Sequence, residues 1–347
     1  MELMVENVEE GKVSIKTIDR SVRRILGLKF KLGLFENPYV DPDRAVEVVH
    51  SKEHQELALK SAREGIVLLK NENNLLPLDN NIKSIAVIGP NADNKFNQLG
   101  DYFAKPVLQK VITVLDGIRN KVTKRTKVVY VKGCNVIGNE FDEIEKARSA
   151  AMEADVAVVV VGENERHAPD GKGTDGEGRD IASLDLTGLQ EDLVKAVYES
   201  GTPTVVVLIN GRPLSIRWIA ENIPAIIEAW IPGEQGGNAI ADVLFGDYNP
   251  SGRLPITIPR HVGQLPVYYN CKPPKIFYFR DYVDMSKKPL FEFGYGLSYT
   301  KFEYSNLQIT PEEIGPEGEV SISVDVKNIG AREGKEVVQL YINDVIS

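Results

Sequence analysis

At 347 residues the chain has length for roughly two domains of about 150 residues each, and its 42% hydrophobic and 26% charged residues exclude global disorder. The 41 Lys and Arg against 50 Asp and Glu leave a net charge of −9, the wrong sign for nucleic acid or an anionic membrane, both of which are bound through clustered cations. No apolar run approaches the roughly 20 residues that span a bilayer, and the acidic N-terminus lacks the apolar core of a signal peptide.

In chain order, the first predicted element is a helix over Ile18 to Leu32. Ile18, Val22, Ile25 and Leu26 form its apolar stripe, Thr17 is the N-cap, and Gly33 and Pro38 end it. Such a stripe has to dock on a surface. Phe35 to Pro42 reads as a linker. A second helix follows Ser51, with Leu57, Ala58 and Ala62 inward.

From Ile66 the pattern becomes short apolar runs alternating with helical stretches. The runs are 84–89, 128–131, 155–162, 204–209 and 225–230, and the helices lie near 109–120, 141–153, 188–200, 213–221 and 235–245. Continuous Val/Ile runs predict strands covered on both faces, hence a mostly parallel sheet in a doubly wound α/β sandwich. Leu254 to Pro259, bracketed by prolines, reads as its edge strand.

Past about residue 262 the helical pattern stops, and 265–300 is rich in Pro, Tyr, Phe and Gly. Val320, Ile322, Val324 and Val326 then alternate, and Val337 to Ile342 forms another predicted strand. These suit the opening of a β-sandwich that would need roughly seven strands to complete.

The stretch most suited to chemistry follows the most apolar strand. Between Gly162 and Leu184 it carries six acids (Glu163, Glu165, Asp170, Asp175, Glu177, Asp180), three bases (Arg166, Lys172, Arg179) and His167. Connections in such folds usually take about 2–6 residues, so this length reads either as a solvated surface loop or as an arm carrying a carboxylate. Gly176 and Gly178 flank Glu177 and would let its backbone come close to a ligand. Nucleotide and nucleophile motifs are missing: the first strand leads into Gly89-Pro-Asn-Ala-Asp93 with no G-x-G-x-x-G before a helix, the Gly-rich stretch 171–178 is acidic and lacks the G-x-x-x-x-G-K-[ST] spacing, and no G-x-S-x-G occurs. His50 and His54 have i, i+4 spacing on a helix but no Glu beside them in the H-E-x-x-H sense, and read as solvated residues. Cys134 and Cys271, the only cysteines, read as buried free thiols. Neither a metal nor a cofactor is expected.

Six segments, in order, carry a resemblance. They are Ser21-Val-Arg-Arg-Ile-Leu-Gly-Leu running to Tyr39, Ala62-Arg-Glu-Gly-Ile-Val-Leu-Leu-Lys-Asn running to Leu78, Trp230-Ile-Pro-Gly-Glu-Gln-Gly-Gly237, Asn249-Pro-Ser-Gly-Arg-Leu-Pro255, Phe293-Gly-Tyr-Gly-Leu-Ser-Tyr-Thr300 and Glu333-Gly-Lys-Glu-Val-Val-Gln-Leu-Tyr341. Together they resemble the C-terminal two-thirds of glycoside hydrolase family 3, the β-glucosidase and β-xylosidase group. The resemblance implies four parts: a terminal barrel-type helix and linker (1–42), an α/β sandwich domain (43–262), an irregular connecting segment (263–302) and a partial fibronectin type III-like domain (303–347). It implies a retaining exo-β-glycosidase acting on terminal β-glucosyl or β-xylosyl residues, whose nucleophile Asp sits on a (β/α)8 barrel that these residues do not include. Gly176-Glu-Gly-Arg-Asp180 resembles the family's acid/base arm, making Glu177 the expected general acid/base, with Glu165 and Asp175 as alternatives and Arg166 and His167 bordering the sugar pocket. Tyr278-Phe-Arg-Asp-Tyr282 reads as an aromatic wall on the aglycone side or as packing against the sandwich. Without a barrel partner the chain is expected to be inactive. A non-catalytic carbohydrate-binding or structural module of the same fold remains the other reading.

Overall fold

The computed structural model describes residues 2–165, 173–270 and 281–343. The chain divides into two compact units, residues 1–54 and 55–347. The first holds helices α1 (Glu2–Glu9), α2 (Ile15–Lys31) and α3 (Pro42–Val48). α2 begins three residues earlier than the sequence predicts, because Ser14 is the N-cap: its hydroxyl accepts from the Thr17 N–H at 3.3 Å, so Thr17 is already inside the helix. Most of its apolar stripe is exposed, with Val22 46%, Ile25 61% and Leu26 40% accessible. α3 starts at the last residue of the expected linker and runs beyond it, nucleated by Asp41 as N-cap and Pro42 in the first turn. His50, at φ 61°, lies in a turn before α4 (Lys52–Gly65), so it does not share a helix with His54.

The second unit is built on a six-stranded sheet. Its strands are β1 (Val67–Asn71), β2 (Ser84–Ile88), β3 (Lys127–Val131), β4 (Val156–Gly162), β5 (Thr204–Ile209) and β6 (Ala225–Glu228). They run in the order β1-β6-β5-β4-β2-β3, all parallel except β1, which pairs antiparallel with β6. The chain leaves β2 toward β3 on one side and returns to β4 on the other, which makes the β2/β4 seam the topological switch point where open α/β sheets open a crevice.

Alternation within the Val-rich runs explains why both faces are apolar. Val158 and Val160 of β4 and Val205 and Val207 of β5 join the core under α5 (Val114–Lys121) and α9 (Gly236–Leu244). Ala157, Val159 and Val161, with Val206 and Leu208, join the opposite core under α6 (Ile144–Met152), α7 (Gln190–Glu199) and α8 (Arg217–Asn222). At about 25 cal/mol per Å² of apolar surface, these two cores are the main source of stability.

Two local expectations are corrected. The edge strand is β1, not Leu254 to Pro259. Pro255 and Pro259 remove two backbone donors from the latter, which makes irregular bonds to residues 290–295 through Leu254 and Ile258 instead. The segment Val337 to Ile342 joins no ladder among the described residues. Side chains hold its approach instead: Arg253 pairs with Glu336 at 2.6 Å, and Gln339 donates to the Gly294 carbonyl at 2.8 Å. The remaining β-structure is the hairpin β7 (Phe302–Thr310) with β8 (Ser321–Asn328), the latter as its alternation predicts. Cys134 is buried and burial pushes its thiol up to about 12, whereas Cys271 lies outside the described residues.

α5 and α9 meet backbone to backbone. A Cβ at Gly237 would overlap the Thr113 carbonyl, and one at Gly117 the Gly237 carbonyl. Gly237→Ala is expected to destabilise the chain by about 1–3 kcal/mol in denaturant titration, the usual cost of overpacking. Gly65→Ala, with nothing within 4 Å of the new methyl, should be neutral or slightly stabilising.

Candidate active site

The carboxyl ends of β2, β4, β5 and β6 converge on a buried polar cluster. β4 hands over directly to Glu163, Asn164 and Glu165, which are 4%, 1% and 3% accessible. A carboxylate at the end of an apolar strand must be met by donors. Glu163 Oε1 lies 3.0 Å from Arg212 Nε, and its Oε2 accepts from the Gly211 and Arg212 N–H groups at 3.2 and 3.4 Å. Those donors sit in the turn leaving β5. From the β2 side, Asn91 Nδ2 donates to the Glu163 carbonyl at 3.0 Å, Asn97 Nδ2 to Asn91 Oδ1 at 2.6 Å, and Glu165 N–H to Asn97 Oδ1 at 3.3 Å.

The long connection after β4 is an arm with a closed neck. Asn164 O accepts from the N–H groups of Thr174 and Asp175, both at 3.0 Å, while Asn164 N–H donates to Thr174 Oγ1 at 3.1 Å. Arg212 Nη2 then reaches the returning strand of the arm, donating to the Thr174 carbonyl at 2.9 Å, to Asp175 Oδ1 at 3.2 Å and to the Arg179 carbonyl at 2.9 Å. One guanidinium therefore ties both sides of the neck together, using the fork geometry that an ammonium lacks.

Beyond the neck Glu177 is exposed. Its backbone N–H donates to Asp101 Oδ2 at 2.7 Å, and Tyr102 Oη donates to its Oε2. Of the two alternative acids, Glu165 is buried and Asp175 is committed to Arg212 and to the Gly176 N–H. Arg166 and His167 lie outside the described residues, as does Tyr278. Tyr282 is described and donates to the Gly263 carbonyl at 3.4 Å. Among the described residues no group of His, Cys, Asp and Glu is arranged to hold a metal ion, and no helix is long and apolar enough to cross a membrane.

Sequence reasoning did not single out Asp101, Tyr102, Arg212 or Glu228. The available signal was topological, since all four lie at or beyond the carboxyl ends of β2, β5 and β6. Glu228 is fully buried; it accepts from the Trp230 N–H at 2.9 Å and from Asn210 Nδ2 at 3.3 Å. Burial pushes its carboxyl up to about 8, with a further rise from Glu163. Burial likewise pushes Glu163 up to about 7, and the Asp175 carboxylate adds to this against the opposing pull of Arg212.

An open, mostly parallel α/β sheet with a carboxylate-bearing arm at its switch point is a scaffold for polar small-molecule chemistry. Residues 66–299 match the glycosyl hydrolase family 3 C-terminal domain, and the chain belongs to that family. It is 43% identical over 99% of its length to a β-xylosidase of Formosa agariphila, and 39% identical over 97% to a periplasmic β-glucosidase of Salmonella typhimurium. It matches 47% and 48% of those two proteins, so the chain spans about half the length of these relatives. The solved structure of a β-glucosidase from Erythrobacter marinus superposes with a TM-score of 0.83 at 40% identity, covering 96% of this chain and 46% of that one.

Two outcomes follow from the buried charges. Arg212→Ala leaves Glu163 without its cation and should cost about 3 kcal/mol at pH 8.5, and clearly less at pH 5.5, where Glu163 takes up a proton. Paired denaturant titrations at the two pH values check this. Glu163 and Glu228 hold their protons longer folded than unfolded, so the stability they contribute is complete below about 4.5 and is lost as pH rises through about 7 and about 8. Calorimetry should show Tm falling from pH 5 to 8.5, and Glu228→Gln should flatten the upper part of that fall.

Proposed function

We propose that this chain supplies the general acid/base, Glu177, of a retaining exo-β-glycosidase that removes terminal β-glucosyl or β-xylosyl residues. The nucleophile Asp belongs to a (β/α)8 barrel that would pack with this chain, residues 1–42 being that barrel's last helix and the linker out of it. The observation that supports the reading best is the position of Glu177. It is an exposed carboxylate on an arm whose neck is locked by buried hydrogen bonds, at the switch-point crevice. Family relatives named as a β-xylosidase and a β-glucosidase give the two sugar classes.

Retention requires two carboxyl groups about 5–5.5 Å apart. In the first step Glu177 gives its proton to the glycosidic oxygen as the bond from that oxygen to the anomeric carbon breaks and the nucleophile carboxylate bonds to that carbon. In the second step the Glu177 carboxylate takes a proton from water as the water oxygen displaces the nucleophile. An exposed tip on a rigid neck suits this double duty, because the group must face the substrate in both steps. Arg166 and His167 are proposed to border the sugar. No metal or cofactor enters the scheme.

In the barrel-complemented enzyme, Glu177→Gln should lower kcat/KM for phenyl β-glycosides by about 10²–10⁴, the share general acid catalysis ordinarily supplies. Substrates with an activated leaving group should be cleaved at near-normal rates in the first step and then accelerated by azide. Unchanged kinetics for phenyl glycosides would sink the assignment and favour a carbohydrate-binding or structural module. The chain on its own should not turn over 4-nitrophenyl β-glucoside, since half of the double displacement has no nucleophile.

A further inference from the structure

The loop leaving β2 does more than cross the switch point. Its first part is fastened into the unit: Asn94 Oδ1 accepts from the N–H groups of Phe96 and Asn97 at 2.9 and 3.2 Å. The fully buried Gln98 donates through Nε2 to the carbonyls of Ile112 and Gly233, both at 2.9 Å. Gly233 N–H returns a bond to the Gln98 carbonyl at 2.7 Å. Three residues later come Asp101 and Tyr102, and both reach the same partner on the β4 arm. Asp101 Oδ2 takes the backbone N–H of Glu177, and Tyr102 Oη donates to Glu177 Oε2. Gly176 permits this approach: it holds φ +108°, and a Cβ there would run into the Asp101 carboxylate.

We propose that Asp101 and Tyr102 are positioning residues that clamp Glu177 across the switch-point crevice, Asp101 fixing its backbone and Tyr102 fixing which carboxyl oxygen carries the transferred proton. The proposal rests on Glu177 being the acid/base. A carboxylic acid has two oxygens, and a hydroxyl donating to Oε2 commits that atom to accepting. The mobile proton is thereby assigned to Oε1. When the group is neutral, Oε2 is the carbonyl oxygen and accepts from Tyr102. When the proton has left for the glycosidic oxygen, Oε2 still accepts, now as part of the carboxylate. The same Tyr102 bond therefore persists through both halves of a double displacement, so the acid of the first step and the base of the second present the same atom in the same direction. Holding a reacting group within a narrow range of orientations is worth rate, because misplacement by about 1 Å can cost on the order of 10²-fold.

A structural role and a positioning role separate on the leaving group. Tyr102 is 80% accessible, so Tyr102→Phe removes an exposed hydroxyl without opening a cavity. In the barrel-complemented enzyme it is expected to lower kcat/KM for phenyl β-glycosides about 10-fold, part of the 10²–10⁴ attributable to general acid catalysis, while changing that for 2,4-dinitrophenyl β-glycosides less than about 2-fold. Asp101→Ala should show the same leaving-group dependence. Asp101→Asn, whose amide oxygen still accepts from the Glu177 N–H, should recover most of the loss. Equal losses on both substrates, or no loss on either, would overturn the clamp. Glu177→Gln run in parallel distinguishes the two levels. Steep leaving-group dependence in Glu177→Gln with none in Tyr102→Phe or Asp101→Ala removes the clamp and leaves the acid/base standing. No dependence in Glu177→Gln removes the acid/base and the clamp with it.

Discussion

Glu163 ends the most apolar strand of the sheet, and the site takes its shape from how that one carboxylate is met. Taking an unpaired carboxylate out of water costs several kcal/mol even after relaxation. The chain meets it with Arg212, with two backbone N–H groups from the β5 turn, and with a proton affinity that burial raises toward neutrality. Arg212 is thereby drawn in beside the sheet, and its remaining nitrogens point at the arm. The arm's neck is a consequence: Thr174, Asp175 and Arg179 settle around a guanidinium whose position is already fixed by Glu163. Replacing the Glu163–Arg212 pair with apolar groups would leave the neck to the Asn164–Thr174 bonds alone, with the returning strand of the arm no longer tied to the β5 turn.

The sheet was legible because its strands are buried on both faces. Val-Ala-Val-Val-Val-Val reads as a central strand whatever surrounds it, and all five parallel strands and their helices lie where the pattern puts them. β1 was harder, since Val67-Leu-Leu is cut short by Lys70 and Asn71 and follows a helix without a break in apolar pattern. Leu254 to Pro259 and Val337 to Ile342 look like strands by side chain alone, yet a strand also needs a partner offering donors and acceptors in register. Neighbouring residues cannot report that.

That Glu177 lies on the long connection after β4 was legible, but its surroundings were not. Asp101 and Tyr102 lie 76 and 75 residues away in sequence, and Arg212 lies 49 residues from Glu163. None of these pairings leaves a periodic trace, because they are made by loops that the parallel sheet brings to one edge. Parallel strands require long crossovers, so residues that meet at the carboxyl end are necessarily distant along the chain. Sequence pattern gives the frame, and topology then states which loops converge.

The closed neck separates two lengths that would otherwise be coupled. Asn164 and Thr174 are bonded to one another, so the chain between them begins and ends at nearly the same place. Adding or removing residues there changes the closure entropy only slowly, by about 0.6 kcal/mol for each doubling of length, and leaves the span to be bridged unaltered. The segment holding Arg166 and His167 can therefore be lengthened, shortened or exchanged without relocating Glu177 on the far side of the neck. That makes it a natural point of variation within the arm, insulated from the position of Glu177.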